Sequence, residues 1–223
     1  MKDELVVFSK PKSNISEDIR TIRTNLQFSC SDGSKVLLVT SSNQGEGKSF
    51  ISSNLAVAYA QTGKRTLLVD SDLRLGRTHK VFGVSNQKGF SNLIVENDVS
   101  NYGEYIKKTD IPNLYVIPRG VVPPNPSELL NSSNTLKLLE FFKRNFDIII
   151  FDGVPINGLS DSLIMAKIVD RVIIVTSANY TKIDELENTV KALEKIDAHV
   201  AGVVLNRASE TKRGKYSSYY ENV

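Results

Sequence analysis

The chain has 223 residues, 40% hydrophobic and 24% charged, which is the composition of an ordinary globular protein with length for one α/β domain. Its 28 basic and 25 acidic residues leave a net charge of +3, too small to indicate nucleic acid as the main partner. A single cysteine, Cys30, excludes an intrachain disulfide and favours a reducing compartment. Because no apolar run has the length of a membrane span and no secretion signal is visible, we expect a cytoplasmic protein.

The first predicted element is a helix over about 14–29. The letters NISE at its start have the pattern of a capping box, which makes Asn14 the expected N-cap. Helical spacing assigns its buried face to four apolar residues, Ile15, Ile19, Ile22 and Leu26. Glu17, Arg20 and Arg23 recur at every third position, so we expect them to be neighbours on the helix surface.

Apolar runs and amphipathic segments then alternate along the chain. Strands are predicted at 35–41, 65–70, 113–118, 146–152, 171–177 and 198–207. Helices are predicted from the turn after the first strand to about 60, and then at 77–82, 90–96, 123–130, 134–145, 159–168 and 182–196. This alternation predicts a doubly wound α/β fold, in which a mostly parallel sheet carries helices on both faces. We assign 1–207 to a single domain, whose ligand site lies at the carboxyl ends of the strands.

The segment Ser42–Ser49, SNQGEGKS, lies between a predicted strand and a predicted helix, which is the setting of a phosphate-binding P-loop. Glycines let several backbone N–H groups converge on phosphate oxygens, and the helix N-terminus adds partial positive charge. Lys48 is expected to reach the β- and γ-phosphates of ATP, and the Ser49 hydroxyl to coordinate Mg²⁺. We assign nucleotide binding to Gly45, Glu46, Gly47, Lys48, Ser49 and Phe50. A chance glycine-rich turn is the less favoured alternative.

Polar side chains follow three of the predicted strands. Asp70 and Asp72 close the run LLVDSD, and Asp152 closes IIIFD. Asp152 is placed to hold Mg²⁺, while one carboxylate of the other pair can help the metal and the second can accept a proton from an incoming hydroxyl. Alternatively, Asp70 and Asp72 only cap the turn that follows. Asn206 ends the last strand, where it is either an adenine ligand or a turn residue.

The segment after the last strand, 208–223, carries three of the eight tyrosines, Tyr216, Tyr219 and Tyr220, among polar and basic residues. Almost nothing aliphatic lies beside these rings, so we expect a flexible tail rather than part of the core. Tyrosine is usually found in cores and interfaces, which makes this placement a functional signal.

Taken in order, these motifs resemble a bacterial tyrosine kinase of the capsule or exopolysaccharide type, in the soluble form found in Firmicutes. The resemblance rests on the P-loop, LLVDSDLR, the strand before Asp152, PPNPSELL, the Glu-x-x-Arg-x-x-Arg helix and the tyrosine tail. It implies a P-loop NTPase fold, ATP and Mg²⁺, with Asp70 as base for the tyrosine hydroxyl, Asp72 supporting the metal and Asp152 as Walker-B carboxylate. One departure is Val154, where the family often has proline.

The resemblance also implies an assembly. Its family forms rings through the helix that here carries Glu17, Arg20 and Arg23, and the tail of one copy is phosphorylated by its neighbour at Tyr216, Tyr219 or Tyr220. The implied partners are a transmembrane adaptor of the polysaccharide co-polymerase type, which recruits the kinase to the inner face of the membrane, and a cognate tyrosine phosphatase. The implied role is regulation of polysaccharide synthesis and export.

Two alternatives remain open at the level of sequence. One is a partitioning or positioning ATPase of the MinD/ParA class, but such proteins carry a lysine at the position of Asn43 and have no use for a tyrosine tail. The other is a weakly active nucleotide-binding regulator, which only the Val154 departure favours.

Overall fold

A seven-stranded sheet organises the part of the chain that the computed structural model describes, residues 4–29, 33–97 and 99–208. The strands are β1 (Val36–Ser41), β2 (Thr66–Asp70), β3 (Lys107–Lys108), β4 (Leu114–Ile117), β5 (Ile148–Pro155), β6 (Arg171–Ser177) and β7 (Val200–Asn206). They lie in the order β3-β4-β2-β5-β1-β6-β7, and all pairings are parallel except that of β3 with β4. The predicted mostly parallel sheet is therefore confirmed.

Helices cover both faces of this sheet, as predicted. They are α1 (Val6–Ser9), α2 (Asn14–Ser29), α3 (Lys48–Ala60), α4 (Thr78–Phe82), α5 (Phe90–Glu96), α6 (Pro126–Leu130), α7 (Ser133–Asn145), α8 (Asp161–Ala166) and α9 (Ile183–Glu194), with a 3-10 helix over Val99–Glu104. One buried cluster joins the sheet to α1–α4, and a second joins it to α5–α9.

Alternate residues of β1 supply the two cores. Leu37 and Val39 pack on the side of α3, whereas Val36 and Leu38 face the opposite cluster, because successive side chains of a strand point to opposite faces. A strand covered on both faces is mostly apolar, which explains the run VLLV that predicted it. Helix α3 is itself buried over most of its length, since α1 and α2 cover its outer side.

The start of α2 differs from the prediction. The helix begins at Asn14, and the Ser13 hydroxyl accepts a hydrogen bond from the Ser16 amide at 3.2 Å, so Ser13 rather than Asn14 is the N-cap. Ile15, predicted to be buried, is 48% exposed, while Ile19 and Leu26 are in the core. The apolar face thus begins one turn later than helical spacing alone indicated.

Short elements were also missed. Helix α1, the 3-10 helix and the two-residue strand β3 have no sequence period long enough to reveal them. In the described ranges, no helix has both the length and the apolar character of a membrane span. Cys30 and the three tail tyrosines, Tyr216, Tyr219 and Tyr220, lie outside the described residues.

Candidate active site

The predicted P-loop connects the end of β1 to the first residue of α3. Gly45 and Gly47 have φ angles of +83° and +98°, a left-handed conformation that favours glycine. At Gly47 a Cβ atom would also lie 2.1 Å from Nδ2 of Asn206, so this position cannot carry a side chain without displacing its neighbour. The loop backbone therefore depends on both glycines.

Glu46 shapes the loop from within. Its fully buried carboxylate accepts hydrogen bonds from the Asn43 amide at 2.8 Å and from the Thr181 hydroxyl. The Glu46 carbonyl accepts a bond from Nδ2 of Asn206 at 2.9 Å. The Glu46 side chain, which the sequence assigned to nucleotide binding, is thus directed at the loop itself, and Asn206 ties β7 to that loop.

A second layer of contacts comes from α9. Asn43 donates to the Glu185 carboxylate at 2.9 Å, and the Ser42 hydroxyl lies 2.9 Å from that of Thr189. Asn43 occupies the position where a partitioning ATPase carries its lysine. Here its side chain is held inside its own chain, and an amide cannot supply the positive charge of that lysine.

Lys48 lies at the N-terminus of α3 and is only 9% exposed. Burial lowers its pKa, although the negative charge of Asp152 and, to a smaller extent, of Asp72 opposes this effect. A buried cation beside carboxylates at a helix N-terminus is suited to binding phosphate oxygens.

Asp70 is the last residue of β2, and Asp152 lies beside it in the adjacent parallel strand β5. They are register partners of β2 and β5, and both side chains are buried. Burial raises the pKa of Asp152 to about 6, against the hydroxyls of Ser49 and Ser52 and the charge of Lys48, which lower it. Burial and then the charge of Asp152 raise the pKa of Asp70 well above its ordinary value.

Asp70 and Asp72 also make the turn contacts that the sequence left as an alternative. Oδ2 of Asp70 accepts a hydrogen bond from the Thr78 amide at 3.0 Å, at the start of α4. Oδ1 of Asp72 accepts bonds from the amides of Arg74 and Leu75 at 3.1 and 2.8 Å. Each uses one oxygen to hold the loop, and Oδ1 of Asp70 is buried with no hydrogen-bond partner.

The donor set fits Mg²⁺. Among the described residues no group of three or more His, Cys, Asp or Glu side chains forms a self-contained metal site. Mg²⁺ needs no such group, because it is commonly held by one or two carboxylates together with substrate phosphates and waters. Oδ1 of Asp152 is buried without a hydrogen-bond partner, and the Ser49 hydroxyl is near enough to the same carboxylate to lower its pKa. These two side chains can therefore provide protein ligands next to a bound phosphate.

A further network fixes the loop that carries Asp72. Arg74 donates to both oxygens of the Asp161 carboxylate, from Nε at 2.9 Å and from Nη2 at 3.2 Å. The Ser127 hydroxyl at the start of α6 donates to the same carboxylate at 2.6 Å. Burial raises the pKa of Asp161, but the bonds from Arg74 and Ser127 outweigh it and leave the pKa lowered. Asp161 was missed, because no local pattern marks a carboxylate whose partners are distant in sequence.

Val154 does not loosen the segment after Asp152. Its carbonyl accepts hydrogen bonds from the hydroxyls of Thr40 and Ser162, at 2.7 and 2.6 Å. Strand β5 consequently runs on to Pro155, beyond the end that the sequence predicted. These two bonds fix the segment where the related motif uses a proline.

The three residues of the Glu-x-x-Arg-x-x-Arg motif in α2 are not equivalent. Glu17 and Arg20 pair with each other on the helix surface. Arg23 instead donates to the carbonyl of Ala58 in α3 at 3.0 Å. It therefore contributes to the packing of α2 on α3 as well as to the surface.

Comparison of the sequence with known proteins finds a matching family and similar tyrosine-protein kinases. A family described as an AAA domain matches residues 34–204. The tyrosine-protein kinase CpsD of Streptococcus agalactiae is 38% identical over 91% of this chain and 89% of its own length. The tyrosine-protein kinase YwqD of Bacillus subtilis is 33% identical over 98% of this chain and 92% of its own length.

Solved structures also resemble this chain, some in sequence and fold and others in fold alone. The crystal structure of the chimerical protein CapA2B2 is 36% identical, with a TM-score of 0.89 over 93% of this chain and 91% of that one. The septum site-determining protein MinD of Pyrococcus horikoshii, at 22% identity and a TM-score of 0.66, covers 80% of this chain and 72% of its own. The similarity to MinD is one of fold alone.

Proposed function

This chain belongs to the family of bacterial tyrosine-protein kinases, and we propose that it transfers the γ-phosphoryl group of ATP to tyrosines of its own C-terminal segment, between copies of the chain. The observation that carries the proposal is that a buried P-loop lysine, Lys48, lies close enough to the carboxylates of Asp152 and Asp72 for their negative charges to act on its pKa. Tyr216, Tyr219 and Tyr220 supply a cluster of acceptors in the same chain.

Each side chain has a distinct task in this scheme. Lys48 and the P-loop amides bind the phosphates and hold them in line with the acceptor. Ser49, Asp152 and Asp72 would hold Mg²⁺, which when bound neutralises charge on the phosphate oxygens. Asp70 accepts the proton of the acceptor hydroxyl, and its raised pKa makes the ionised carboxylate a stronger base.

The end of β7 supports the tail as substrate. Asn206 contacts the P-loop, so the chain leaves the last strand at the nucleotide end of the sheet. Fully extended, the stretch from Asn206 to Tyr216 spans at most about 35 Å. This upper limit does not decide between the chain's own site and that of a neighbouring copy, so transfer between copies needs a kinetic test. At concentrations below that at which the ring assembles, its rate constant per chain should rise with protein concentration, and a constant value there would contradict transfer in trans.

We place the kinase in the cytoplasm, recruited to the membrane by a transmembrane adaptor and organised as a ring through Glu17, Arg20 and Arg23. The name of the similar chimerical protein, CapA2B2, supports a kinase that acts with a second chain. Phosphorylation of the tail adds roughly −1.5 to −2 charges per tyrosine, which would disassemble the ring until a phosphatase removes them. The process regulated is capsule or exopolysaccharide synthesis and export.

The experiment is incubation of the purified chain with Mg·ATP, with and without the cytoplasmic tail of a candidate adaptor. Mass spectrometry of the C-terminal peptide then locates phosphate among the three tyrosines. We expect phosphotyrosine at one or more of them, with a higher yield when the adaptor tail is present. Hydrolysis of ATP without any phosphotyrosine under both conditions would contradict the proposal and favour an ATPase switch.

A further inference from the structure

Tyr180 lies at the rim of the P-loop, in the turn between β6 and α9. Its hydroxyl donates to the carbonyl of Gln44 at 3.3 Å, a long and therefore weak hydrogen bond. The side chain is 57% exposed, and that of Ile183, three residues on, is 79% exposed. The ring is thus held by a single weak hydrogen bond and is exposed to solvent beside the P-loop.

The other described tyrosines differ from Tyr180. Tyr59 and Tyr105 are buried, and Tyr115 packs against Phe146 beneath Arg65. Tyr102 is 47% exposed, but it lines a cavity with Arg65, which precedes β2, and so lies at the amino ends of the strands. In the described part of the chain, Tyr180 is therefore the tyrosine that combines high exposure with a position at the active site.

The turn presents Tyr180 on a fixed backbone. The amides of Tyr180 and Thr181 both donate to the Ser177 carbonyl, at 3.1 and 3.0 Å. The Thr181 hydroxyl then donates to the Glu46 carboxylate inside the P-loop. Tyr180 is consequently next in sequence to Thr181, whose hydroxyl bonds to the Glu46 carboxylate that shapes the P-loop.

We infer that Tyr180 is a second phosphorylation site of this kinase, modified by another copy, and that its phosphate weakens ATP binding. The inference rests on the proposed tyrosine phosphorylation between copies. In the modifying copy the bond from the γ-phosphorus to the β-phosphate bridging oxygen breaks, and ADP leaves. A bond to Oη of Tyr180 forms, and the hydroxyl proton passes to the carboxylate of that copy's Asp70.

Electrostatics explain the effect on ATP. A phosphotyrosine oxygen can only accept, so it cannot replace the bond that the hydroxyl donates to Gln44. The new dianion would stand near the carboxylates of Glu46 and Glu185, which already contact the P-loop, with Lys182 as the neighbouring cation. Like charges beside the triphosphate site oppose a further anion, so ATP affinity should fall several-fold.

The test uses the Lys48→Met variant as substrate for a small amount of active chain with Mg·ATP. Trypsin releases residues 172–182, whose only tyrosine is Tyr180, and a separate peptide that carries the tail. We expect phosphotyrosine in both peptides, whereas the peptide containing Tyr102 stays unmodified. A phosphorylated tail with unmodified Tyr180 would overturn this inference alone. Equal phosphorylation of Tyr102 and Tyr180 would overturn it as well, because exposure would then suffice.

If neither the tail nor Tyr180 is modified, the proposed function fails and the inference fails with it. The effect on ATP is measured on a variant that combines Tyr216→Phe, Tyr219→Phe and Tyr220→Phe, so that the tail cannot contribute. ATP binding is compared before and after its phosphorylation at Tyr180 by active chain. Several-fold weaker binding is expected, and unchanged affinity would overturn the regulatory role.

Discussion

Asp70 and Asp152 are register partners on the adjacent parallel strands β2 and β5, and both carboxylates are buried at the point where β2 ends. Burial is the main cause of the raised pKa of each carboxyl group, because it disfavours the ionised form. The negative charge of Asp152 raises the pKa of Asp70 further. Two such groups destabilise the free protein and become useful only when metal and phosphates are bound. The pair therefore links stability to function in this site.

Replacement of Asp152 should stabilise the free protein. Its pKa is about 6 when folded and 3.8 in the reference state, so the folded chain binds the proton more tightly and stability falls as pH rises between these values. Near pH 7 the difference corresponds to roughly 3 kcal/mol, which Asp152→Asn would relieve in part. Chemical denaturation without nucleotide should show the variant to be more stable near pH 7 and equal near pH 4. A variant less stable than wild type near pH 7 would contradict this account.

The Arg74–Asp161 pair should be asymmetric in its response to mutation. Arg74→Ala leaves a carboxylate that is 1% exposed without its cation, which is expected to cost roughly 3 kcal/mol of stability. Asp161→Asn leaves an arginine that is 38% exposed and should cost less. Both should lower the rate of tail phosphorylation at saturating ATP, because the loop carrying Asp72 is released.

The matched control for this pair is Glu187, which pairs with Lys191 on α9 with both side chains about 60% exposed. Glu187→Gln should change stability by no more than about 0.5 kcal/mol. Denaturation curves and phosphorylation rates are measured on all three variants. Equal losses for Arg74→Ala and Glu187→Gln would show that burial of Asp161 carries no energetic weight.

The sequence left two roles open for Asn206, that of an adenine ligand and that of a turn residue, and replacing it can distinguish them. Its Nδ2 donates to the Glu46 carbonyl at 2.9 Å, so Asn206→Ala removes a support of the P-loop. If support is its role, binding of ATP and GTP should weaken by the same factor, because both share the triphosphate. A selective loss of ATP binding would instead indicate contact with adenine. Calorimetric titration of both nucleotides into wild type and variant decides between them.

Helix α2 allows assembly and folding to be tested separately. Arg20→Ala removes a surface pair and should reduce the size of the oligomer with little change in melting temperature. Arg23→Ala also removes the bond to the Ala58 carbonyl, so it should lower the melting temperature as well. Light scattering and thermal denaturation provide the two readouts. An unchanged oligomer in both variants would contradict a ring built through this helix.

Residues that carry a strong local signal were placed correctly from the sequence. The P-loop needs its glycines for φ angles that other residues rarely adopt, and Asp70 and Asp152 follow apolar runs that end in the same edge of the sheet. Such features depend on a few neighbouring residues, and a single sequence contains them.

Features set by tertiary contact were not predictable. Asp161 is a site residue because Arg74 and Ser127 converge on it, and Glu46 is buried because Asn43 and Thr181 surround it. The N-cap was misplaced by one residue, since Ser13 and Asn14 are both good capping residues and only the backbone decides between them.

The central claim is that the P-loop site delivers phosphate to the C-terminal tyrosines, and the most direct measurement is phosphotyrosine on the C-terminal peptide of Lys48→Met. The variant is purified, incubated with Mg·ATP and compared with wild type and with Lys191→Met, an exposed lysine of α9. We predict phosphate on the tails of wild type and Lys191→Met and none on that of Lys48→Met. Phosphotyrosine persisting on the purified Lys48→Met protein would contradict the assignment of the active site.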